Sequence, residues 1–285
     1  MMNKNQHAIC FAILAAILYA LNAPFAKLLL LEIPPTLMAG LLYLGAGLGM
    51  FILQTFQTNS QELPLTRQEL PYIIAMVVLD ILAPICLMLG LSQSSAATVS
   101  LLNNFEIVMT SLIALCFFKE FISKRLWLAI LLITLASILL SVEDFSSLQF
   151  SWGSCFVLLA CSTWGLENNC TRQLSSKNPL QIVKIKGFGS GASALLLGIF
   201  LGESFPSFFY ILPALLLGFT AYGMSIYFYI YAQRYLGAAK TSAFYALAPF
   251  IGTFFSLIIF QELPTTNFLV AFGIMLMGTY LASTE

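Results

Sequence analysis

Apolar runs of the length a bilayer core requires, ~20 residues per helix, recur along the whole chain. Pro, Gly, Asn and charged residues separate them. Marking the runs gives ten segments, at roughly 7–27, 35–56, 69–91, 94–117, 125–142, 151–172, 181–202, 209–234, 237–260 and 264–282. The runs do not alternate apolar and polar residues as barrel strands do, and open sheet cannot span lipid. The pattern predicts an all-α integral membrane protein with ten transmembrane helices. Short connectors, such as residues 90–93, predict antiparallel packing of neighbouring helices.

Composition agrees with that reading. Of 285 residues, 60% are hydrophobic and 8% charged, too few charges to coat a soluble domain of this size. The 12 basic and 12 acidic residues form no block or tail, so nothing points to nucleic acid. Their placement is informative. With the N-terminus in the cytoplasm, the inner side receives Lys4, Arg67, Lys119, Lys124, Arg125, Arg172, Lys177, Lys184, Lys186, Arg234 and Lys240, and the outer side only Lys27. One missed or invented helix would scramble every later loop, so this positive-inside asymmetry supports both the orientation and the count of ten. The expected location is the plasma membrane, the inner membrane of a bacterium, with both termini cytoplasmic. The first apolar run reads as an uncleaved span.

The six cysteines, Cys10, Cys86, Cys116, Cys155, Cys161 and Cys170, lie in apolar runs without a CxxC pair, and His7 has no ligand partners nearby. No metal and no cofactor is expected. The chain has no Walker-type loop, HExxH or G-x-S-x-G. An ATP-driven pump and an enzyme are therefore disfavoured.

The chain also repeats itself. Ala96-Ala97-Thr98-Val99-Ser100 is echoed by Ala238-Ala239-Lys240-Thr241-Ser242, and Phe118-Lys119-Glu120 by Phe260-Gln261-Glu262 at the same offset. Tyr19-Ala20-Leu21-Asn22 matches Trp164-Gly165-Leu166-Glu167. The expected units are residues 1–145 and 146–285. Five helices per unit is odd, so the second unit enters the membrane inverted. Inverted repeats recur in secondary transporters, with the site at the repeat interface near mid-membrane.

These features resemble the drug/metabolite transporter superfamily, in its EamA-like branch. The aromatic-small pairs Tyr19-Ala20 and Trp164-Gly165, the two apolar-x-Glu endings, the Ala-Ala-x-x-Ser openings of helices 4 and 9, and Pro249 carry the resemblance over nearly the whole chain. It implies ten helices, a central cavity lined by helices 1, 3, 4, 6, 8 and 9, and alternating access by rocking of the halves. Members move amino acids, nucleotide-sugars, amines, sugar phosphates and drugs, so the resemblance does not choose a solute. One departure is Glu106 in the middle of helix 4, just before Ile107, the position equivalent to Pro249.

Candidate chemistry lies in ionisable groups at depth. Asp80 falls in helix 3, Glu106 in helix 4 and Glu167 in helix 6, and no Lys or Arg is expected at mid-depth beside them. An acid at the helix centre costs ~2.5–3.5 kcal/mol on insertion scales, so such groups normally face a cavity or a proton path. Each also has a structural alternative. Glu167 can pair with Arg172 or Lys186, Glu106 can join helices through a stripe with Asn103 and Thr110, and Asp80 can serve backbone freed by Pro84. Asn22 precedes the helix breaker Pro24, and Asn168 and Asn169 extend the polarity of helix 6. Tyr19, Trp164, Tyr222 and Tyr245 are candidate cavity aromatics, since rings hold cations at ~0.5–2 kcal/mol, though packing explains many such rings. Glycines in helices 2 and 7 permit close helix approach.

The reading favoured by the residues is a secondary active transporter of a small cationic or zwitterionic metabolite, coupled to protons in one version. Asp80, Glu106 and Glu167 supply charge, and Asn22, Asn103, Tyr19, Trp164, Tyr222 and Tyr245 orient the solute. A second reading is an exporter of neutral or aromatic amino acids or drugs, with the acids structural. A channel would need a continuous pore lining or symmetric charge rings, and an enzyme an acid–base constellation. Neither pattern is visible. Partners are a solute and the lipid bilayer, and both a monomer and a homodimer remain open.

Overall fold

A computed structural model of the chain describes residues 4–56, 63–119, 121–144, 149–174, 176–236, 241 and 244–283. The first crossing consists of α1 (Lys4–Ala20) and α2 (Asn22–Leu29). It breaks at Leu21 because Pro24 has no N–H for the carbonyl of Ala20, four residues earlier. α3 (Pro35–Phe56) is the second crossing, and α4 (Leu70–Gln93), entered through a 3-10 turn, is the third. The fourth is broken again, into α5 (Ala96–Leu102) and α6 (Phe105–Phe118), at Asn103 and Asn104. α7 (Lys124–Ser141) closes the first half. The antiparallel pair β1 (Val142–Asp144) and β2 (Gln149–Phe150) links the halves. It is the one strand pairing among the described residues, where the sequence predicts no strand.

The second half holds α8 (Trp152–Arg172), α9 (Pro179–Phe200) and α10 (Phe208–Gly218). α10 runs through a π-helical stretch, Phe219–Met224, into α11 (Ser225–Leu236). α12 (Ala248–Phe260) and α13 (Thr266–Ser283) complete it. The hydroxyls of Ser95, Ser123 and Ser151 and the amide oxygen of Asn178 accept from backbone N–H groups at the starts of α5, α7, α8 and α9, as N-caps do.

Eight described stretches are long and apolar enough to cross a membrane, and α12 is a shorter apolar helix. α8 has the length, at 21 residues, but Glu167, Asn168, Asn169 and Arg172 dilute its hydropathy. With these two the crossings number ten, as the apolar pattern predicts. The second Ala-Ala-x-x-Ser copy lies largely outside the described residues, and so does Glu120.

Extensive helix pairings join one half to the other, among them α3 with α9, α4 with α8, α7 with α13, α1 with α11, and α5 with α12. In crossing numbers these are 2 with 7, 3 with 6, 5 with 10, 1 with 8 and 4 with 9. Adding five to each number returns the same set, which is the signature of a two-fold relation between halves. Local backbone agrees. Lys119 and Gln261, the middle residues of the two apolar-x-Glu echoes, take left-handed φ values of 55° and 52° at the ends of α6 and α12.

At the α3–α9 crossing the two backbones touch. A Cβ added to Gly47 would lie 2.9 Å from the Phe188 nitrogen and 3.0 Å from the Gly187 carbonyl carbon. One added to Gly187 would lie 2.8 Å from the Tyr43 carbonyl oxygen. Glycine is required there by space. Charged side chains serve helix ends elsewhere. Lys27 donates to the carbonyls of Leu91 (2.5 Å) and Ser94 (2.9 Å) at the end of α4, and Glu203 accepts from the N–H groups of Thr36 (3.2 Å) and Leu37 (2.9 Å) at the start of α3. Both signs complement the helix dipole.

Candidate functional site

A chain of buried polar groups crosses the interface between the halves. It starts at the break of the first crossing, where Asn22 Nδ2 donates to the Tyr222 hydroxyl at 3.1 Å. Tyr222 belongs to the π-helical stretch, a device that often re-aims a side chain at a working site. Its ring centre lies 5.1 Å from that of Tyr43 on α3. The Tyr43 hydroxyl donates to Asp80 Oδ1 at 2.8 Å. Asp80 Oδ2 lies 3.1 Å from Lys186 Nζ, an ion pair, and Lys186 Nζ donates to Glu167 Oε1 at 2.7 Å. Thr171, one turn along α8, donates to the same Glu167 oxygen. Asn22, Tyr222, Tyr43, Asp80, Lys186 and Glu167 are each exposed by 5% or less.

Lys186 corrects one expectation. The sequence reading places it with the charges at the inner end of helix 7, offers it to Glu167 only as one structural alternative, and expects no cation beside Asp80. In the structure it is buried on α9 and bridges Asp80 and Glu167. The reason is depth. Glu167 stands five residues before the end of α8 and Lys186 a similar distance into α9, and a short loop joins these helices. Both side chains therefore reach the same level. A buried charge is tolerable only when paired, and this geometry pairs both acids on one ammonium.

Glu106 belongs to a second cluster. It accepts from Asn168 Nδ2 at 2.5 Å, and Asn168 Nδ2 lies 3.4 Å from Thr110 Oγ1. Asn169 Nδ2 donates to the carbonyls of Thr110 (3.1 Å) and Gly165 (2.8 Å). The helices meet here because Gly165 is bare: a Cβ on it would lie 2.7 Å from Met109 Cβ. Glu106 thus sits at a hydrogen-bonded joint between α6 and α8. Asn103 is three residues before it, at the break in the fourth crossing, with its Oδ1 4.0 Å from Cys161 Sγ.

The aromatic candidates are divided. Tyr19 lies 6.1 Å from Tyr222 and 5.6 Å from Tyr245 by ring centres, and Tyr245 lies 4.9 Å from Tyr229. These rings continue the polar chain from Asn22 toward α11. Trp164 is buried within the main apolar core on α8. Two members of the network, Lys186 and Tyr43, are absent from the sequence-based set. Lys186 carried a signal, its distance into an apolar helix. Tyr43 carried none, standing alone in a glycine-rich run.

Comparison with known proteins places this geometry. A family model described as the EamA-like transporter family matches residues 6–142 and again residues 151–284. An uncharacterised transporter of Methanothermobacter thermautotrophicus is 25% identical over 268 residues, covering 88% of this chain and 78% of its own. A solved crystal structure superposes with a TM-score of 0.69 at 16% identity, covering 96% of this chain and 95% of its own. That likeness concerns the fold.

Proposed function

Because the chain belongs to the EamA-like transporter family, and so is a multi-pass membrane transporter, we propose that it is a secondary carrier of a small zwitterionic or cationic metabolite working by alternating access. The carrying observation is the Asp80–Lys186–Glu167 ion network at the interface of the halves. Lys186 neutralises one of three buried or half-buried carboxylates, Glu106 being the third. The remainder calls for a solute ammonium, a proton, or each in turn. A zwitterion suits the network further, since its carboxylate can take the Lys186 ammonium while its amino group meets an acid. Asn22, Asn103, Tyr19, Tyr222 and Tyr245 would line the path, with ring faces adding to cation binding. Trp164 would act from the wall through packing.

The test is counterflow in liposomes across a panel of amines and amino acids, with and without an imposed pH gradient. Asp80→Asn and Glu167→Gln should each lower transport of the responding solute by about tenfold or more, the scale of a lost bond between charged groups. Glu106→Gln should alter its dependence on the pH gradient. Unchanged transport and unchanged pH response in all three variants would remove the acids from the mechanism.

We further propose that both termini face the cytoplasm of a plasma membrane, on the eleven-to-one placement of basic residues. Single cysteines placed at Lys177 and at Phe205 should label from opposite sides of intact cells, Phe205 from outside. Labelling of Lys177→Cys from outside would reverse the orientation.

A further inference from the structure

The break in the first crossing leaves a small cavity. Tyr19, Ala20, Asn22, Ser100, Asn103 and Gly252 are among the residues that line it. Two of its polar atoms, Asn22 Oδ1 and Ser100 Oγ, have no hydrogen-bond partner, although their residues are only 1% and 2% exposed. Leaving such groups unmet costs ~1–3 kcal/mol each. A third acceptor joins them. The carbonyl of Ala20 loses its helical donor to Pro24. A Cβ built on Gly252 would lie 2.9 Å from Ser100 Oγ and 3.1 Å from the Ala20 carbonyl oxygen, so these two oxygens face one point beside Gly252.

The chemistry of the set limits its occupant. A carbonyl, a carboxamide oxygen and a hydroxyl are too weakly basic to hold a proton. Their lone pairs suit a hard cation, which takes neutral oxygens readily. Broken helices in transporters coordinate Na+ through carbonyls of this kind. The surroundings favour positive charge, since Asp80, Glu106 and Glu167 stand against Lys186 alone in the polar groups described above. The space is that of a single water-sized particle, too small for an organic ammonium. We propose that this cavity is a sodium site, with the Ala20 carbonyl, Asn22 Oδ1 and Ser100 Oγ as ligands. No His, Cys, Asp or Glu takes part, which is why a search of the sequence for ligand patterns passes over it.

The site is wired to the polar chain. Na+ on Asn22 Oδ1 fixes the amide so that Nδ2 faces the Tyr222 hydroxyl, the contact through which Asn22 enters the network. Ion occupancy and the position of Tyr222 are thereby coupled. This goes beyond the carrier reading and does not depend on which solute the acids recognise.

The experiment uses the purified full chain in detergent, without solute. Its Tm is read against rising NaCl, KCl and choline chloride at constant ionic strength. Na+ alone should raise Tm, saturably and by about 5 °C or more at concentrations far above Kd. Ser100→Ala should abolish the rise. Equal Tm in the three salts would mean that the cavity holds water only, and a Na+-specific rise that survives in Ser100→Ala would place the ion elsewhere; either result overturns the proposal. Should Ser100→Ala not yield folded protein, Gly252→Ala, which puts a methyl group into the cavity, takes its place with the same two readings. Because ion binding is read without solute, its failure leaves the carrier proposal standing, and failure of the transport assay leaves this one standing.

Discussion

Lys186→Met should cost about 3–5 kcal/mol of stability and abolish transport, the loss expected when a buried ion pair is broken from one side. The size follows from what is left behind. Asp80 and Glu167 are 1% and 2% exposed, and water cannot reach in to replace the ammonium. Tyr43 and Thr171 still donate one bond to each acid, which is too little to solvate two carboxylates held on one cation. The triple variant Asp80→Asn, Lys186→Met, Glu167→Gln separates stability from function. Neutral replacement of a whole buried ionic group is often close to free in stability, so the triple variant should regain most of the lost Tm while remaining inactive. Thermal denaturation followed by tryptophan fluorescence reads the first quantity and counterflow the second. A Lys186→Met protein with the wild-type Tm would show that the ammonium does not hold the acids.

Gly187→Val should prevent accumulation of folded protein, at a cost of about 3 kcal/mol or more, the upper end for overpacking. Most added side chains find a neighbour that can rotate away. Here the neighbours are atoms of the α3 backbone itself, with the Tyr43 carbonyl 2.8 Å from the new Cβ. The helices have to separate. That separation also pulls Lys186, the preceding residue, away from Asp80, so the packing defect and the electrostatic one arrive together. Gly273→Ala is the control, because a Cβ there meets nothing within 4 Å, and its Tm should match the wild type. Expression level and a monodisperse elution profile give the comparison. A well-folded Gly187→Val protein would mean that the two helices do not touch at this point.

The features that the chain makes legible are those set by lipid. A bilayer imposes one length and one composition on every crossing, so ten segments stand out even where α8 is too polar to pass on hydropathy. The break at Leu21 was readable from Pro24. The break at Asn103 and Asn104 was not, because no proline marks it; the structure places it near the repeat position of the turn before α12. The two apolar-x-Glu echoes were readable as a repeat, but not as left-handed helix endings, since neither Lys119 nor Gln261 is a residue that favours positive φ. Lys186 shows how a correct rule misleads. Counting basic residues by side rewards placing each at a helix end, and it ignores how far into the helix the residue stands. Tyr43 shows the other limit. A lone hydroxyl in an apolar run becomes meaningful only once the partner 37 positions away is known to face it.

The pairing of crossings across the halves has a consequence for the making of the protein. Asp80 is synthesised about a hundred residues ahead of Lys186, and a ribosome adds ~5–20 residues per second. For roughly 5–20 s the nascent chain therefore holds a membrane acid whose cation does not yet exist. Tyr43, already made and five crossings ahead of the missing partner, is the one member of the finished contact that is present to receive it. A residue that looks like a minor donor in the mature network is, on the ribosome, the acid's first companion.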